Sequence, residues 1–375
     1  MRRARVVSTV VAVLALGMVV VPARASERSE LLVARGEVAY AGGRVDEARA
    51  YFQQALDADP NDATARSWLE LIASRVPLAA APGQRRERAA RIWDVEAGTG
   101  VEYDSNPALD HSSPRGDAGF LFTFDGHVDP WRDDKTLVRL DYDFFQVLHT
   151  SLNEFNVTSN RVRATVARAI VPSLWAGLQG GYDHTVLHTH AYLQEPWVMP
   201  YLSILQGGFG STQLLYRHSQ QGYLGSPFGG TPYDRTGPSN GAGVNQLVFL
   251  FDGRMALNLG YFFFQQTPHA ASGSDFALHS QQGIAGVRFP AWWQTFVEVD
   301  YVYRNDSYTN PNSFATPPDS AKRTDHGSYF AGYVRRPIMD HLDALLSYFP
   351  TINSSNIALY DYHRQIVALE LRYTF

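Results

Sequence analysis

The chain has 375 residues, a formal net charge of −5, no cysteine, and aromatic residues at 13% of its positions. The lack of cysteine excludes disulfides, thiolate metal sites and a lipid-modified N-terminal cysteine. The negative charge gives no reason to expect nucleic acid as a partner. Mean hydropathy is slightly negative, and no long apolar run follows the N-terminal segment. These features exclude a helical membrane protein but not a β-barrel, whose strands are apolar on one face only.

The N-terminus has the composition of a secretory signal peptide. Arg2, Arg3 and Arg5 precede the apolar run "VVSTVVAVLALGMVVV", and "ARA" follows as a small-residue cleavage site. The alternative is a single membrane-anchoring helix, for which the run is at the short end. The pattern predicts that residues 1–25 are removed and that the mature chain begins near Ser26.

Residues 26–75 are predicted to form a small helical module of the tetratricopeptide type. With Ser29 as the first position of a 34-residue unit, small residues and a proline fall where that repeat requires them. The signature residues are Gly36, Gly43, Ala48, Phe52, Ala55 and Pro60. The module could be a stabilised spacer or a docking site for a periplasmic partner. A Pro/Ala/Gly-rich and then basic linker, 76–92, separates it from the rest of the chain.

From Trp93 to Phe375 the sequence repeats a strand pattern in which apolar and polar residues alternate. In "WDVEAGTGVEYD" the apolar set shares one face and the acidic set the other, since side chains alternate along a strand. One such strand would suit a soluble sandwich equally well. Many of them, with aromatic ends, favour an antiparallel transmembrane β-barrel of about 14 strands. The predicted strands lie near 93–104, 116–129, 135–148, 155–169, 174–184, 196–206, 211–220, 240–251, 255–266, 276–289, 294–305, 323–335, 342–350 and 357–375.

The connections between these strands alternate in length. Those after even strands are short, such as "IVPS" and "FDGR", and those after odd strands are mostly longer, such as "HTVLHTHAYLQE". Short periplasmic turns and longer external loops are typical of outer-membrane barrels. The last strand should pair with the first and so remove both sheet edges.

The aromatic residues at strand ends suggest two further features. A chain that ends on Phe375 resembles the signal by which the barrel-assembly machinery recognises its clients. Tryptophans at strand ends are expected in the interfacial girdles that face membrane lipid. These are Trp93, Trp175, Trp197, Trp292 and Trp293.

The C-terminal segment "SSNIALYDYHRQIVALELRYTF" resembles the end of the surface lipoprotein assembly modifier family. The residues that carry this resemblance are Ser355, Asn356, Tyr360, Tyr362, Arg364 and Phe375. "GVEYDSNP", residues 100–107, resembles the start of that family's barrel. The resemblance implies a periplasmic tetratricopeptide module joined to a fourteen-stranded outer-membrane barrel that helps to move lipoproteins or another secreted cargo. Exopolysaccharide exporters combine the same two parts, so the cargo could be a protein or a polysaccharide.

The best candidates for function are charged residues on the polar face of the strands, because charge is costly towards lipid. They could line a conduit, or they could pair across the lumen and only brace the barrel. They are Glu96, Glu102, Arg139, Asp141, Asp143, Arg161, Arg163, Glu298, Asp300, Arg304, Glu370 and Arg372.

His188 and His190 share a strand face and could bind a metal, but a polar external loop explains them better. No catalytic set, metal or cofactor is predicted. Three hypotheses remain: a transport or assembly protein, an adhesive or structural barrel, and an outer-membrane enzyme. The helical module favours the first, because an adhesin has little use for a periplasmic docking domain.

Overall fold

The computed structural model describes residues 45–58, 92–133, 135–224, 235–251, 253–292 and 294–375. The first of these segments is one helix, α1, Val45–Ala58. Ala48, Phe52 and Ala55 are fully buried, and their spacing of four and three residues places them on one helix face. The remaining predicted signature residues, Gly36, Gly43 and Pro60, lie outside the described residues, as do the predicted signal peptide and most of the linker.

The rest of the chain forms a closed antiparallel barrel of fourteen strands in which each strand pairs with its neighbours in sequence. The strands are β1 Trp93–Asp104, β2 Asp117–Arg132, β3 Thr136–His149, β4 Val157–Val171, β5 Leu174–Leu187, β6 His190–Leu205, β7 Gly210–Tyr223, β8 Gly237–Leu250, β9 Met255–Gln266, β10 Leu278–Pro290, β11 Phe296–Pro311, β12 Lys322–Met339, β13 Leu342–Ser355 and β14 Tyr362–Thr374. Short 3-10 helices cover Asn153–Phe155, Gly207–Phe209, Ala271–Phe276 and Ala358–Tyr360. The predicted fold is therefore confirmed.

The barrel closes by the pairing of the first and last strands. The register runs from Glu96 opposite Thr374 to Asp104 opposite Ile366. Beyond the last paired residue, the Phe375 amide donates to the Val95 carbonyl at 3.0 Å. Because both edge strands are used, the sheet has no free edge.

The two ends of the barrel differ, and we name them by their connections. At the turn end, where both barrel termini lie, the gaps are short, such as residues 172–173 and 340–341. At the loop end they are mostly longer, such as 105–116, 224–236 and 267–277. The predicted loop between β5 and β6 is wrong, because only residues 188–189 separate these strands. Main-chain pairing continues through the polar sequence, and His188 takes the left-handed conformation (φ 56°) that so tight a turn requires.

Two of the predicted girdle tryptophans face inwards. Trp175 lies opposite Ala169 and is buried with Leu205 in an apolar cluster on the inner wall. Trp197 lies opposite Gly181 and shares the inward face of β6. Side chains alternate along a strand, and each of these tryptophans lies an even number of positions from an inward charged residue on the same strand. Both therefore face inwards. Trp93 and Trp292 are exposed on the outside, and Trp293 lies outside the described residues.

Candidate functional site

The outward face of the barrel carries almost no charge. Among the fourteen described strands, the register places no Asp or Glu on an outward position. The outward cations are Arg168 and Arg336 near the turn end and Lys322 at the loop-end limit of β12. Large apolar side chains fill most other outward positions and are exposed, such as Leu178 at 51% and Leu369 at 53%. A continuous apolar surface of this kind fits lipid and not water.

A ring of seven tyrosines, which we call the tyrosine girdle, encircles this surface towards the loop end. Each odd-numbered strand contributes an outward tyrosine at this level: Tyr103, Tyr142, Tyr182, Tyr216, Tyr261, Tyr303 and Tyr348. Six hydroxyls reach an amide or imidazole on the next strand, at 2.8–3.4 Å. Tyrosine is typical of the membrane interface, where the ring meets lipid and the hydroxyl meets polar groups.

Exposed aromatic residues at the turn end mark the opposite boundary. Trp131, Phe251 and Trp292 all lie on the outside there. Measured along a strand between the two boundaries, Tyr261 follows Met255 by six positions and Tyr103 follows Trp93 by ten. At about 3.3 Å per residue and a tilt of about 40°, the apolar band is roughly 15–25 Å tall, which suits an outer-membrane barrel.

The charged residues lie on the inner face. The register places all twelve charged candidates on the inner face, and it adds others that were not among the candidates. The additional ones include Asp104, Asp125, Asp129, Asp183, Glu195, Arg217, Arg288, Asp306, Arg323, Asp325, Arg335, Asp343 and Arg364. Asp104, Asp306 and Arg364 lie an even number of positions from a candidate on the same strand, so alternation alone could have found these three.

The first charge network crosses the closing seam at the turn end. Glu96 of β1 accepts from Arg372 of β14 at 3.0 Å and from Arg335 of β12 at 2.5 Å. Arg335 also donates to Asp343 at 2.7 Å. These four charged residues form one network, in which the two Glu96 contacts join residues more than two hundred positions apart and hold the first strand against the last.

A glycine makes room for the second part of this network. Gly98 lies on the inward face of β1, and the Thr123 hydroxyl of β2 donates across it to Glu370 of β14. A Cβ at Gly98 would stand 1.9 Å from the Glu370 carboxylate. Because Gly98 has no side chain, Thr123 of β2 and Glu370 of β14 can form a hydrogen bond across β1, which lies between them.

A second pair lies between β2 and β3. Arg139 donates to both oxygens of Asp129, at 2.5 and 2.7 Å, and both side chains are almost wholly buried. Arg132 approaches the same carboxylate at 3.3 Å. Two guanidinium groups thus neutralise one carboxylate on the inner wall near the turn end.

A third cluster spans β4 to β7. Arg161 donates to Asp183 at 2.9 Å, and Arg217 donates to Glu195 at 3.1 Å. The Arg217 guanidinium also lies 4.8 Å from the Trp197 ring centre. Trp197 in turn donates to Asp183 at 3.3 Å, so the cluster is continuous across four strands.

Three Arg–Asp pairs line the loop end between β11 and β1. They join Arg304 to Asp306, Arg323 to Asp325, and Arg364 to Asp104. The Arg323 guanidinium lies 3.3 Å from the Tyr360 ring centre. Among the described residues, the inward Glu102 and Asp300 have no such ion pair.

The external loops are fixed to this end by buried acids. Asp117 begins β2 and holds the β3–β4 loop. Its burial raises the pKa of the carboxyl, but hydrogen bonds from Leu152 N–H, the Thr150 hydroxyl, and the N–H groups of Ser151 and Ala118 outweigh that effect. The pKa of Asp117 is lowered to about 2. Asp275 ties the β9–β10 loop to the next one by accepting from the Ser313 hydroxyl at 2.6 Å.

The lumen retains space for water. Several inward charged side chains keep accessible surface although they are paired, including Arg161 at 49%, Asp125 at 48% and Arg288 at 43%. Paired charges on a wet wall can solvate a polar solute without the cost of a bare charge.

No metal site is found among the described residues, where no group of three or more His, Asp or Glu side chains is arranged to hold an ion. His188 contacts the Asn153 carbonyl at 2.9 Å, and His190 contacts the Thr189 hydroxyl at 3.4 Å. Within the same residues, no helix has the length and apolar character needed to cross a bilayer.

Comparisons with known proteins identify one repeat. The family model of the tetratricopeptide repeat matches residues 29–62, the 34-residue unit that begins at the predicted Ser29. A search of curated protein sequences finds no match.

Solved barrels resemble the chain only distantly. A loop-deletion mutant of Vibrio cholerae OmpT is 9% identical to this chain, with a TM-score of 0.44. The alignment covers 76% of this chain and 99% of the OmpT chain. A bacterial polysaccharide outer membrane secretin is 10% identical, with a TM-score of 0.41, over 75% of this chain and 98% of the secretin chain. Pseudomonas aeruginosa OpdL is 8% identical, with a TM-score of 0.37, over 76% of this chain and 99% of the OpdL chain. Likenesses at this level carry no argument about function.

Proposed function

We propose that this chain is an outer-membrane barrel that passes a secreted, polar cargo through its lumen in an extended form. The observation that carries the proposal is the separation of charge: every strand carboxylate among the described residues lies inwards, and the outward band is apolar. A lipid-facing surface around a charged, wet interior is the physical requirement of a conduit.

The width of the barrel restricts the cargo. Fourteen strands about 4.8 Å apart, tilted by about 40°, enclose a backbone diameter of roughly 28 Å. Side chains of about 6 Å on each wall leave roughly 15 Å. A folded 100-residue domain has a radius of gyration of about 13 Å, so its full diameter exceeds that opening. The lumen suits an extended polypeptide, a glycan chain or a small solute.

The helical module would deliver the cargo. We assign residues 26–75 to a periplasmic module and 76–92 to a linker, after removal of residues 1–25. The Arg132 guanidinium at the turn end lies 5.6 Å from the Tyr51 ring centre of α1, which supports a module placed below the turns. The cargo class favoured by the sequence resemblance is a surface lipoprotein-like protein. Phe375 closes the strand that we expect the barrel-assembly machinery to recognise.

A polysaccharide is the second candidate cargo, and a specific wall feature supports it. Three inward aromatic rings lie over glycines on the neighbouring strand: Trp197 over Gly181, Tyr201 over Gly177 and Phe262 over Gly243. A Cβ at each glycine would come within 2.5 Å of the ring. Rings held flat along a polar wall are surfaces on which sugar rings can stack.

The test is to fuse the signal peptide directly to Gln84 and compare the truncated with the full chain in cells. We expect the barrel level and small-solute leakage to stay unchanged, because the barrel closes its own hydrogen bonds. Surface exposure of the cargo should be lost. The cargo assays are protease accessibility of surface lipoproteins and binding of a labelled lectin to exported glycan. A full-length Phe52→Ala variant, which removes a fully buried side chain of α1 and leaves the linker and barrel unchanged, should also lose cargo exposure.

Normal exposure of both cargo classes in the truncated chain would refute the delivery role and favour the adhesive hypothesis. Loss of insertion would show that module and barrel are not independent.

A further inference from the structure

Five histidines form a second ring on the outward face, which we call the histidine belt. It consists of His184, His218, His279, His326 and His363. Relative to the girdle tyrosine of the same or the adjacent strand, His184, His218 and His326 lie one outward position nearer the loop end, and His279 and His363 lie two. His184 follows Tyr182 by two residues and His218 follows Tyr216 by two. At about 3.3 Å per residue and a tilt of about 40°, the belt stands roughly 5–10 Å beyond the girdle.

The side chains around the belt are uncharged. On the adjacent strands, the outward residues opposite the five histidines are Asn160 and Gln194 for His184, Val198 and Asn240 for His218, Gln265 and Ser307 for His279, Asn305 and Ser354 for His326, and Ile352 for His363. The titratable groups that contact it are tyrosines: the ring of Tyr182 stacks on His184, and the Tyr303 hydroxyl lies 3.2 Å from the His326 ring. No carboxylate faces any of the five within the described strands.

This arrangement contrasts with the inner wall. There, arginines such as Arg139 and Arg372 lie against carboxylates at hydrogen-bonding distance. Within the described strands no outward carboxylate lies beside the belt, although Asp361 precedes His363 by two positions just before β14, and Lys322 adds a further cation at the same end. All of the belt histidines except His184 are exposed.

We propose that the histidine belt binds the phosphate groups of glycolipid headgroups in the outer leaflet. The proposal rests on the membrane location proposed above. The tyrosine girdle marks the interface, so the next outward position lies among headgroups. Histidine gains charge between about pH 5 and 8, and hydrogen bonds from a charged donor to phosphate are stronger than neutral ones. The neighbouring amides can bond the headgroup sugars, and the missing carboxylates remove the repulsion that phosphate would meet.

The experiment uses the full-length protein in phosphatidylcholine vesicles that contain either bisphosphorylated lipid A or enzymatically dephosphorylated lipid A. Retention of each lipid by the purified protein is measured at about pH 5.5 and about pH 8, on either side of the imidazole range. We expect several-fold greater retention of the phosphorylated lipid, and more of it at the lower pH. A variant with all five belt histidines changed to Gln should lose that preference. The matched control changes the inward His127 and His149 to Gln and should keep it.

Equal retention of both lipids by the unmodified protein, or a preference that the five-fold variant keeps, would overturn the belt assignment. If the five-fold variant does not fold, His279→Gln and His363→Gln are tested singly, and an unchanged preference in both would count against the proposal. Failure of the unmodified protein to insert into plain phosphatidylcholine would instead contradict the membrane location.

Discussion

Replacing Leu178 by arginine should destabilise the barrel strongly if the outward medium is lipid. Leu178 lies on the outward face of β5, opposite Val166 and Pro200, with half of its surface exposed. It is four residues from Tyr182 of the girdle and four from Leu174 at the turn end. The side chain is therefore near the middle of the apolar band.

The expected magnitude follows from this depth. Arginine at the midplane of a lipid-facing strand costs about 2–4 kcal/mol. The same substitution on a face exposed to water would change the free energy of unfolding by less than about 0.5 kcal/mol. The adjacent residue provides the control, because Gln179 points into the lumen opposite Thr165 and Met199. Gln179→Arg should cost less than about 1 kcal/mol.

The assay is reversible urea unfolding of each variant in lipid vesicles, followed by tryptophan fluorescence. We expect the Leu178→Arg midpoint to fall well below that of the unmodified protein and of Gln179→Arg. Equal midpoints for the two variants would refute the assignment of the outward face to lipid.

Three further predictions concern the seam and the loops. Gly98→Val should lower the free energy of unfolding by about 1–3 kcal/mol, because its side chain overlaps the Glu370 carboxylate; Gly283→Ala, in open space, should leave the melting temperature unchanged. Asp117→Asn should cost about 2 kcal/mol at neutral pH. Since the folded pKa of Asp117 is lowered to about 2, its stabilisation is present above about pH 4 and disappears as the pH falls through 2; parallel pH–stability curves for the two proteins would contradict this. Phe375→Asp should reduce outer-membrane levels and heat-resistant gel mobility, and normal values of both would mean that the terminal residue is not part of an insertion signal.

Alternation along the strands was sufficient to predict the barrel. For the aromatic residues, residue type and alternation lead to different predictions. Trp175 and Trp197 were assigned to the girdle by residue type, although Trp175 has the parity of the inward Asp183 on the same strand. The girdle at the loop end consists of tyrosines instead, and their recurrence on odd strands becomes visible only once the strands are aligned.

The ion pairs could not be predicted from the sequence. Glu96 contacts Arg335, which is 239 positions away, because strand tilt and closure bring β12 and β1 together across β13 and β14. No local pattern contains that information. The β5–β6 loop was predicted too long for a related reason: polar residues continue a strand beyond the membrane when their main-chain groups still pair.

Cysteine accessibility along β5 tests the central claim most directly. The chain has no cysteine of its own, so each single replacement gives one labelling site. Residues 179, 183 and 185 face inwards, and 176, 178 and 180 face outwards. In protein reconstituted into vesicles, a charged, membrane-impermeant thiol reagent should label the first set and leave the second unlabelled. Labelling of the outward set, or no alternation between the two, would contradict a lipid-embedded barrel with a water-filled lumen.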